Sequence, residues 1–217
     1  MDPESDLMVF IFEFVMTLKQ QEILQEFSKS EAILKGHFIL SSGLHSDTYM
    51  QCARVLMEPK RAEKLCAKLA KKIIDRLGEN FADIVVAPAM GGVVVGYELA
   101  RQLGLPSIFC ERVNGQFELR RGFTLDSSLR VLVVEDVITT GKSSLETYDL
   151  IRKFGAKIIA EASLVDRSND KNLEAKMGVP VISLLSVDVK TFDENNVPEE
   201  LKNIPAIKPG SRFLKAI

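Results

Sequence analysis

A chain of 217 residues with 46% hydrophobic and 27% charged residues has an ordinary globular balance and is long enough to bury about 70% of the surface its unfolded form exposes. No repeat or low-complexity run interrupts it, which excludes a solenoid or a disordered chain. A formal charge of −2 provides no overall positive field for nucleic acid or an anionic membrane, so any anion site must be local. In chain order, the apolar run Leu7 to Val15 (LMVFIFEFV) is preceded by acids, broken by Glu13 and too short to span a bilayer. With Ser5 before Asp6 as an N-cap and a polar stretch Lys19 to Glu26 behind it, the run predicts an amphipathic helix packed on the body or on a second subunit. A small appended lobe over residues 35–58 follows. There Gly36, Gly43 and Asp47 punctuate the short extended pieces His37 to Leu40 and Thr48 to Gln51.

Pro59 then opens a helix in which Ala62, Leu65, Cys66, Leu69, Ala70, Ile73, Ile74 and Leu77 recur at helical spacing before Gly78. The chain next alternates strands and helices: Ile84 to Ala87, Val93 to Leu103, Ser107 to Cys110, Val131 to Val134, Ser144 to Phe154 and Ile158 to Val165. This order predicts an α/β fold, a parallel sheet flanked by helices on both faces. One more apolar run, Val181 to Val187, precedes a polar tail. The chain divides into N-terminal helices and lobe (1–58), α/β core (59–190) and C-terminal tail (191–217), all within a single domain. The three cysteines, Cys52, Cys66 and Cys110, are odd in number and lack CxxC spacing, and two histidines cannot complete a zinc site with them. A reducing, cytoplasmic setting is the expectation.

Ligands of such sheets bind at the carboxyl ends of the strands. After Val131 to Val134 come Glu135, Asp136, Val137, Ile138, Thr139, Thr140, Gly141, Lys142 and Ser143. Backbone N–H groups at a helix start, beside small hydroxyl residues, make a phosphate cradle. Two carboxylates would repel that phosphate, so they serve sugar hydroxyls or a metal-bound water. The plainer alternative is a solvated acidic turn with Thr140 as an N-cap. A Walker A loop fails, because Asp136 stands where that motif requires glycine, and Met90-Gly91-Gly92 through Gly96 is no GxGxxG fingerprint.

The string VLVVEDVITTGKS resembles the donor-binding loop of the type I phosphoribosyltransferases. That resemblance implies a parallel sheet with a small N-terminal hood lobe, acids on the ribose hydroxyls and the Thr-Gly stretch around a 5′-phosphate. FILSSGLHSDTYMQCARVL (Phe38 to Leu56), DIVVAPAMGGVVVG (Asp83 to Gly96) and Val165-Asp166-Arg167 are similar to segments of the orotate phosphoribosyltransferases. The likeness covers about residues 30 to 190 of this chain. In that family a serine-glycine turn with a following aromatic lies over the base, and the late arginine meets orotate. Arg167 suits this, since a guanidinium fork binds a carboxylate that uracil lacks; a surface pair of Asp166 with Arg167 is the alternative.

The segment Glu111 to Arg130, with Arg112, Arg120, Arg121 and Arg130 among its glycines, reads as a mobile flap closing over pyrophosphate. The resemblance implies that it reaches across a dimer interface, although the usual lysines and histidine are absent. It also carries Ser41 where many members have a lysine beside the base, and Met90-Gly91 in place of Tyr-Lys. The implied reaction transfers a phosphoribosyl group from 5-phosphoribosyl-1-pyrophosphate to orotate. Glu135, Asp136, Arg112 and Arg121 are the candidate catalytic residues. Donor binding falls to 135–143 with Arg112, and orotate binding to Thr139, Arg167 and Ser41. Mg²⁺ is expected, held mainly by the substrate with no direct protein ligand. Small-molecule substrates and a homodimer with shared sites complete the expectation, without nucleic acid or membrane partners. Another nucleobase, such as a purine, or a donor-sensing regulator without catalysis remains open.

Overall fold

The computed structural model describes residues 20–40 and 43–209, so the apolar run Leu7 to Val15 and Ser41 lie outside the described residues. Helix α1 covers residues 20–29 and buries Ile23 and Phe27, one turn apart on one face. Strands β1 (Ile33–Ile39) and β2 (His45–Met50) follow, then α2 (Cys52–Leu56) and the long α3 (Pro59–Leu77). Proline opens α3 where its missing N–H costs nothing, and Gly78 closes it. The core then runs β3 (Ile84–Pro88), α4 (Gly91–Leu103), β4 (Ser107–Val113), β5 (Gln116–Leu119), β6 (Arg130–Ile138), α5 (Lys142–Lys153), β7 (Lys157–Asp166), α6 (Leu173–Met177) and β8 (Val181–Ser186). A short β9 (Thr191–Phe192) and α7 (Glu199–Lys202) end it.

The main sheet has the order β5-β4-β3-β6-β7-β8. All neighbours pair parallel except the edge strand β5, which is antiparallel to β4. Every residue of β3 is buried, as expected of a parallel strand covered on both faces. Successive side chains of β6 split between two cores. Leu132 and Val134 join Leu65, Leu69, Val95 and Leu99 under α3 and α4, whereas Val131 and Val133 join Tyr148 and Ile151 under α5. Strand periodicity therefore decides which helix each β6 side chain meets.

The hood is a separate sheet of order β1-β2-β9, antiparallel throughout. Its β9 lies in the stretch assigned from sequence to the C-terminal tail, and a bridge joins Phe38 to Ile207. The hood is thus assembled from both ends of the described chain. His37 fastens it: Nδ1 donates to the Ile204 carbonyl (3.0 Å), which leaves Nε2 to accept from His45 Nδ1 (2.6 Å).

Several sequence expectations need correction. Glu135 and Asp136 were placed in a loop, but β6 continues through them to Ile138 because β7 pairs with it as far as Asp166. The flap expected between Glu111 and Arg130 is partly an ordered hairpin: β4 runs on to Val113 and turns at Asn114-Gly115 into β5. Three of its arginines are held by acids. Arg121 pairs with Glu111, Arg112 with Glu146 and Arg130 with Asp83. Asp166 and Arg167 do not pair, since Asp166 Oδ1 accepts from the Ser168 N–H at 2.8 Å.

Candidate active site

The carboxyl ends of β3, β6 and β7 and the hood enclose a cavity of about 360 Å³. Asp136, Thr139 and Arg167 line it from the core, Tyr49 and Gln51 from the hood, and Arg112 and Phe117 from the hairpin. A second cavity of about 650 Å³ is formed by Val137 to Ser144 and Glu146 with Glu135 and Arg112. Glu135, Arg112, Val137, Thr139 and Ser143 line both, so two subsites adjoin across the end of β6.

The adjacent acids point to opposite faces of β6. Asp136 follows Leu132 and Val134 toward α4, where a Cβ added to Gly91 would stand 2.6 Å from Asp136 Oδ1. Only glycine leaves the start of α4 this close to the carboxylate. Glu135 follows Val131 and Val133 toward α5 and is buried. Burial raises the Glu135 carboxyl well above its usual range, with Asp136 and Glu161 adding to the shift. Asp136 is also raised by burial, opposed by the Val137 N–H, which donates to its Oδ1 at 3.0 Å.

The turn after β6 is a backbone cradle. Gly141 sits in the left-handed region (φ 73°) as the N-cap of α5, and a Cβ added there would stand 3.1 Å from Met177 Sδ, so the turn needs glycine for both reasons. Lys176 Nζ donates to the Thr140 carbonyl at 2.7 Å, and the Leu145 N–H reaches Gly141 O at 3.0 Å. Gly141 offers α5 no side-chain cap, and the Lys142 N–H makes only a long contact of 3.4 Å to Thr140 Oγ1, so the first turn keeps N–H capacity for an anion.

Arg167 is half-buried, and its Nε is buried without a hydrogen-bond partner. Burial lowers its pKa, with Tyr49 and Cys52 acting in the other direction. A guanidinium that lines the cavity and makes no ion pair among the described residues is poised for an anionic ligand.

The model of the phosphoribosyl transferase domain matches residues 56–203. The orotate phosphoribosyltransferase of Sphingopyxis alaskensis is 50% identical over 199 residues, covering 92% of this chain and all of that one. The chain belongs to the orotate phosphoribosyltransferase family. The orotate phosphoribosyltransferase of Maricaulis maris is 51% identical over 91% of this chain and 100% of its own. Among solved structures, the orotate phosphoribosyltransferase of Aeropyrum pernix superposes with a TM-score of 0.63 at 29% identity, over 76% of this chain and 93% of that one.

Within this orotate phosphoribosyltransferase fold, the residues singled out from sequence are brought together unevenly. Glu135, Asp136, Val137, Thr139, Ser143, Arg112 and Arg167 all line the first cavity, and Ile138, Thr140, Gly141 and Lys142 line the second. Arg121 lines neither: it forks onto Glu111 (2.9 and 3.0 Å) with a left-handed backbone (φ 60°). Arg112 reaches both cavities but is held by Glu146 (2.5 Å) and the Gly115 carbonyl (2.6 Å). Sequence reasoning gave no place in the site to Gln51, Gly91 or Phe117, and it assigned no residue number to the aromatic expected after the serine-glycine turn, where Tyr49 lines the cavity. Gly91 had a legible signal, a Gly-Gly pair directly after a buried strand; Phe117 had none, because only the hairpin turn brings it to the cavity.

Proposed function

We propose that the whole chain acts as one phosphoribosyltransferase domain that couples the phosphoribosyl group of 5-phosphoribosyl-1-pyrophosphate to orotate, giving orotidine 5′-phosphate and pyrophosphate. The observation that carries the choice of base is Arg167, an unpartnered guanidinium half-buried on the cavity wall opposite the hood. A carboxylated pyrimidine supplies the missing partner through two parallel hydrogen bonds.

The 5′-phosphate is assigned to the N–H groups of Thr139 to Ser143 at the start of α5, where the helix dipole also favours negative charge. The ribose hydroxyls then fall between Glu135 and Asp136, which approach from the two faces of β6. Thr139, lining both cavities, stands between the phosphate and base subsites. Displacement forms the bond from a ring nitrogen of orotate to C1 of the ribose and breaks the bond from C1 to pyrophosphate. The protein's task is to hold the reactants in line and to receive the leaving charge. Arg112 serves pyrophosphate once it exchanges Glu146 for the ligand. Arg121, engaged by Glu111 and outside both cavities, reaches a ligand only if the hairpin moves or if it serves a neighbouring subunit.

Mg²⁺ would be held mainly by substrate oxygens, with Glu135 and Asp136 serving the ion's bound water. When bound, Mg²⁺ would neutralise the developing pyrophosphate charge. Val94 and Tyr97 are exposed on α4 and line an apolar groove with Leu56 and Pro59, a surface that supports a homodimer with shared sites. No described helix is long and apolar enough to cross a membrane, and a cytoplasmic enzyme is the consistent reading.

The test follows orotate absorbance with donor and Mg²⁺ present. Consumption of orotate with equimolar pyrophosphate release is expected. Turnover of a purine base with none of orotate would overturn the assignment.

A further inference from the structure

Beneath the phosphate cradle, on the face of the sheet that meets α5, lies a charged residue the reaction does not use. Glu161 of β7 pairs with Val133 in β6 and is fully buried. Its two oxygens are taken by different residues of one helix. Ser144 Oγ donates to Oε1, and the Tyr148 hydroxyl donates to Oε2 at 2.5 Å. Ser144 is the third residue of α5 and Tyr148 lies one turn beyond, so both face the sheet from the stretch that follows Gly141.

An apolar side chain could fill this space, and burying a carboxylate is costly. What the carboxylate adds is direction: two hydrogen bonds from one helix turn to one rigid strand fix both the rotation and the height of α5 over β7. The cradle from Thr139 to Ser143 runs directly into that first turn, so the aim of its N–H groups depends on that placement. Lys176 at the Thr140 carbonyl and Met177 against Gly141 hold the cradle from its other side.

We propose that Glu161 is a positioning residue for the donor's 5′-phosphate, acting through Ser144 and Tyr148 to set the first turn of α5. This rests on the assignment of the cradle to the phosphoribosyl donor. It separates donor affinity from orotate affinity, because Arg167 stands at the far end of β7 on a different contact set.

The experiment uses the full chain with Glu161→Gln, and with Ser144→Ala and Tyr148→Phe as separate variants that each delete one donor. Donor Kd is measured by calorimetry with Mg²⁺ present, and orotate KM at saturating donor. Glu161→Gln is expected to raise donor Kd about tenfold, as the loss of a charge-assisted hydrogen bond would, with orotate KM changed by less than about twofold. Tyr148→Phe and Ser144→Ala are expected to shift the same constant in the same direction, and they carry the test if Glu161→Gln does not fold. Equal weakening of donor and orotate, or donor Kd unchanged in folded variants while the wild type binds the donor, overturns the proposal. A wild-type protein that does not bind the donor overturns the functional reading and this proposal with it.

Discussion

Arg167→Met isolates the guanidinium, because methionine keeps most of the unbranched stem that packs in the cavity wall while deleting the charge. In the free protein the Arg167 Nε is buried with no partner, and burial already lowers its pKa, so folding carries an uncompensated cost. A ligand carboxylate relieves it. Charge-assisted hydrogen bonds contribute roughly 1.5–3 kcal/mol, which at 1.4 kcal/mol per tenfold corresponds to a rise in orotate Kd of about 10- to 150-fold. The donor makes its contacts at Thr139 to Ser143 and should lose less than about twofold. Removing an unpaired buried charge should also leave thermal stability level or slightly higher. Titration calorimetry with each ligand, a competition with uracil and a melting curve measure these together. Discrimination of orotate from uracil should collapse in the variant. Equal weakening of both ligands, or a melting temperature that falls while orotate affinity holds, would refute the reasoning and make Arg167 a structural residue.

Asp136→Asn should cut turnover by at least about a hundredfold, the lower range for loss of one electrostatic contact at a reacting centre, with cooperative unfolding retained; steady-state rates beside a denaturant curve check this. Gly91→Ala should act on the same carboxylate, because its Cβ would meet Asp136 Oδ1 at 2.6 Å; a kcat/KM equal to wild type would show that Asp136 is free to yield. Burial raises the Glu161 carboxyl to about 7 from 4.5, against the hydrogen bonds from Ser144 and Tyr148. A folded pKa above the unfolded one means that the folded state holds the proton more tightly. The contribution is therefore fully present below pH 4.5 and is lost as pH rises from there to 7. Relative to Glu161→Gln, the wild type should lose about 3 kcal/mol of stability across that window, and a constant difference in urea titrations at several pH values would contradict this. For shared sites, mixing Asp136→Asn with the Arg112→Ala and Arg121→Ala double variant should restore about half of one wild-type dimer's activity, since one site in each mixed dimer has neither lesion; subunit exchange without recovery would assign the hairpin to its own subunit.

The sequence by itself determined the α/β class and the position of α3 from Pro59 to Leu77, and it pointed to the run from Glu135 to Ser143, which lines the two cavities. These were legible because each rests on local periodicity or on a contiguous string of residue types. The end of β6 was not legible, since polar residues at 135 and 136 look like a loop until β7 pairs alongside them. That pairing also turned two neighbouring acids to opposite faces, one toward Gly91 and one toward α5. Sequence order makes Glu135 and Asp136 a pair; the pleat turns them to opposite faces, so that both line the first cavity and only Glu135 also lines the second.

The hood shows the same division. Its β1 and β2 could be anticipated from short extended pieces around Gly43, but β9 arrives from nearly 150 residues later, from Thr191, and no local pattern announces that. The arginines of the segment after Cys110 were readable as positive charge and unreadable as partners, because Glu146, which holds Arg112, lies on α5 and Asp83, which holds Arg130, lies before β3. Glu161 is the extreme case: within a strand of buried residues it looks like a misplaced charge, and only the docking of α5 onto β7 gives both its oxygens a donor. Composition and periodicity determine which elements form. Which polar groups meet is decided by contacts between residues distant in sequence, because a buried charge is tolerated only where the folded chain supplies its partners.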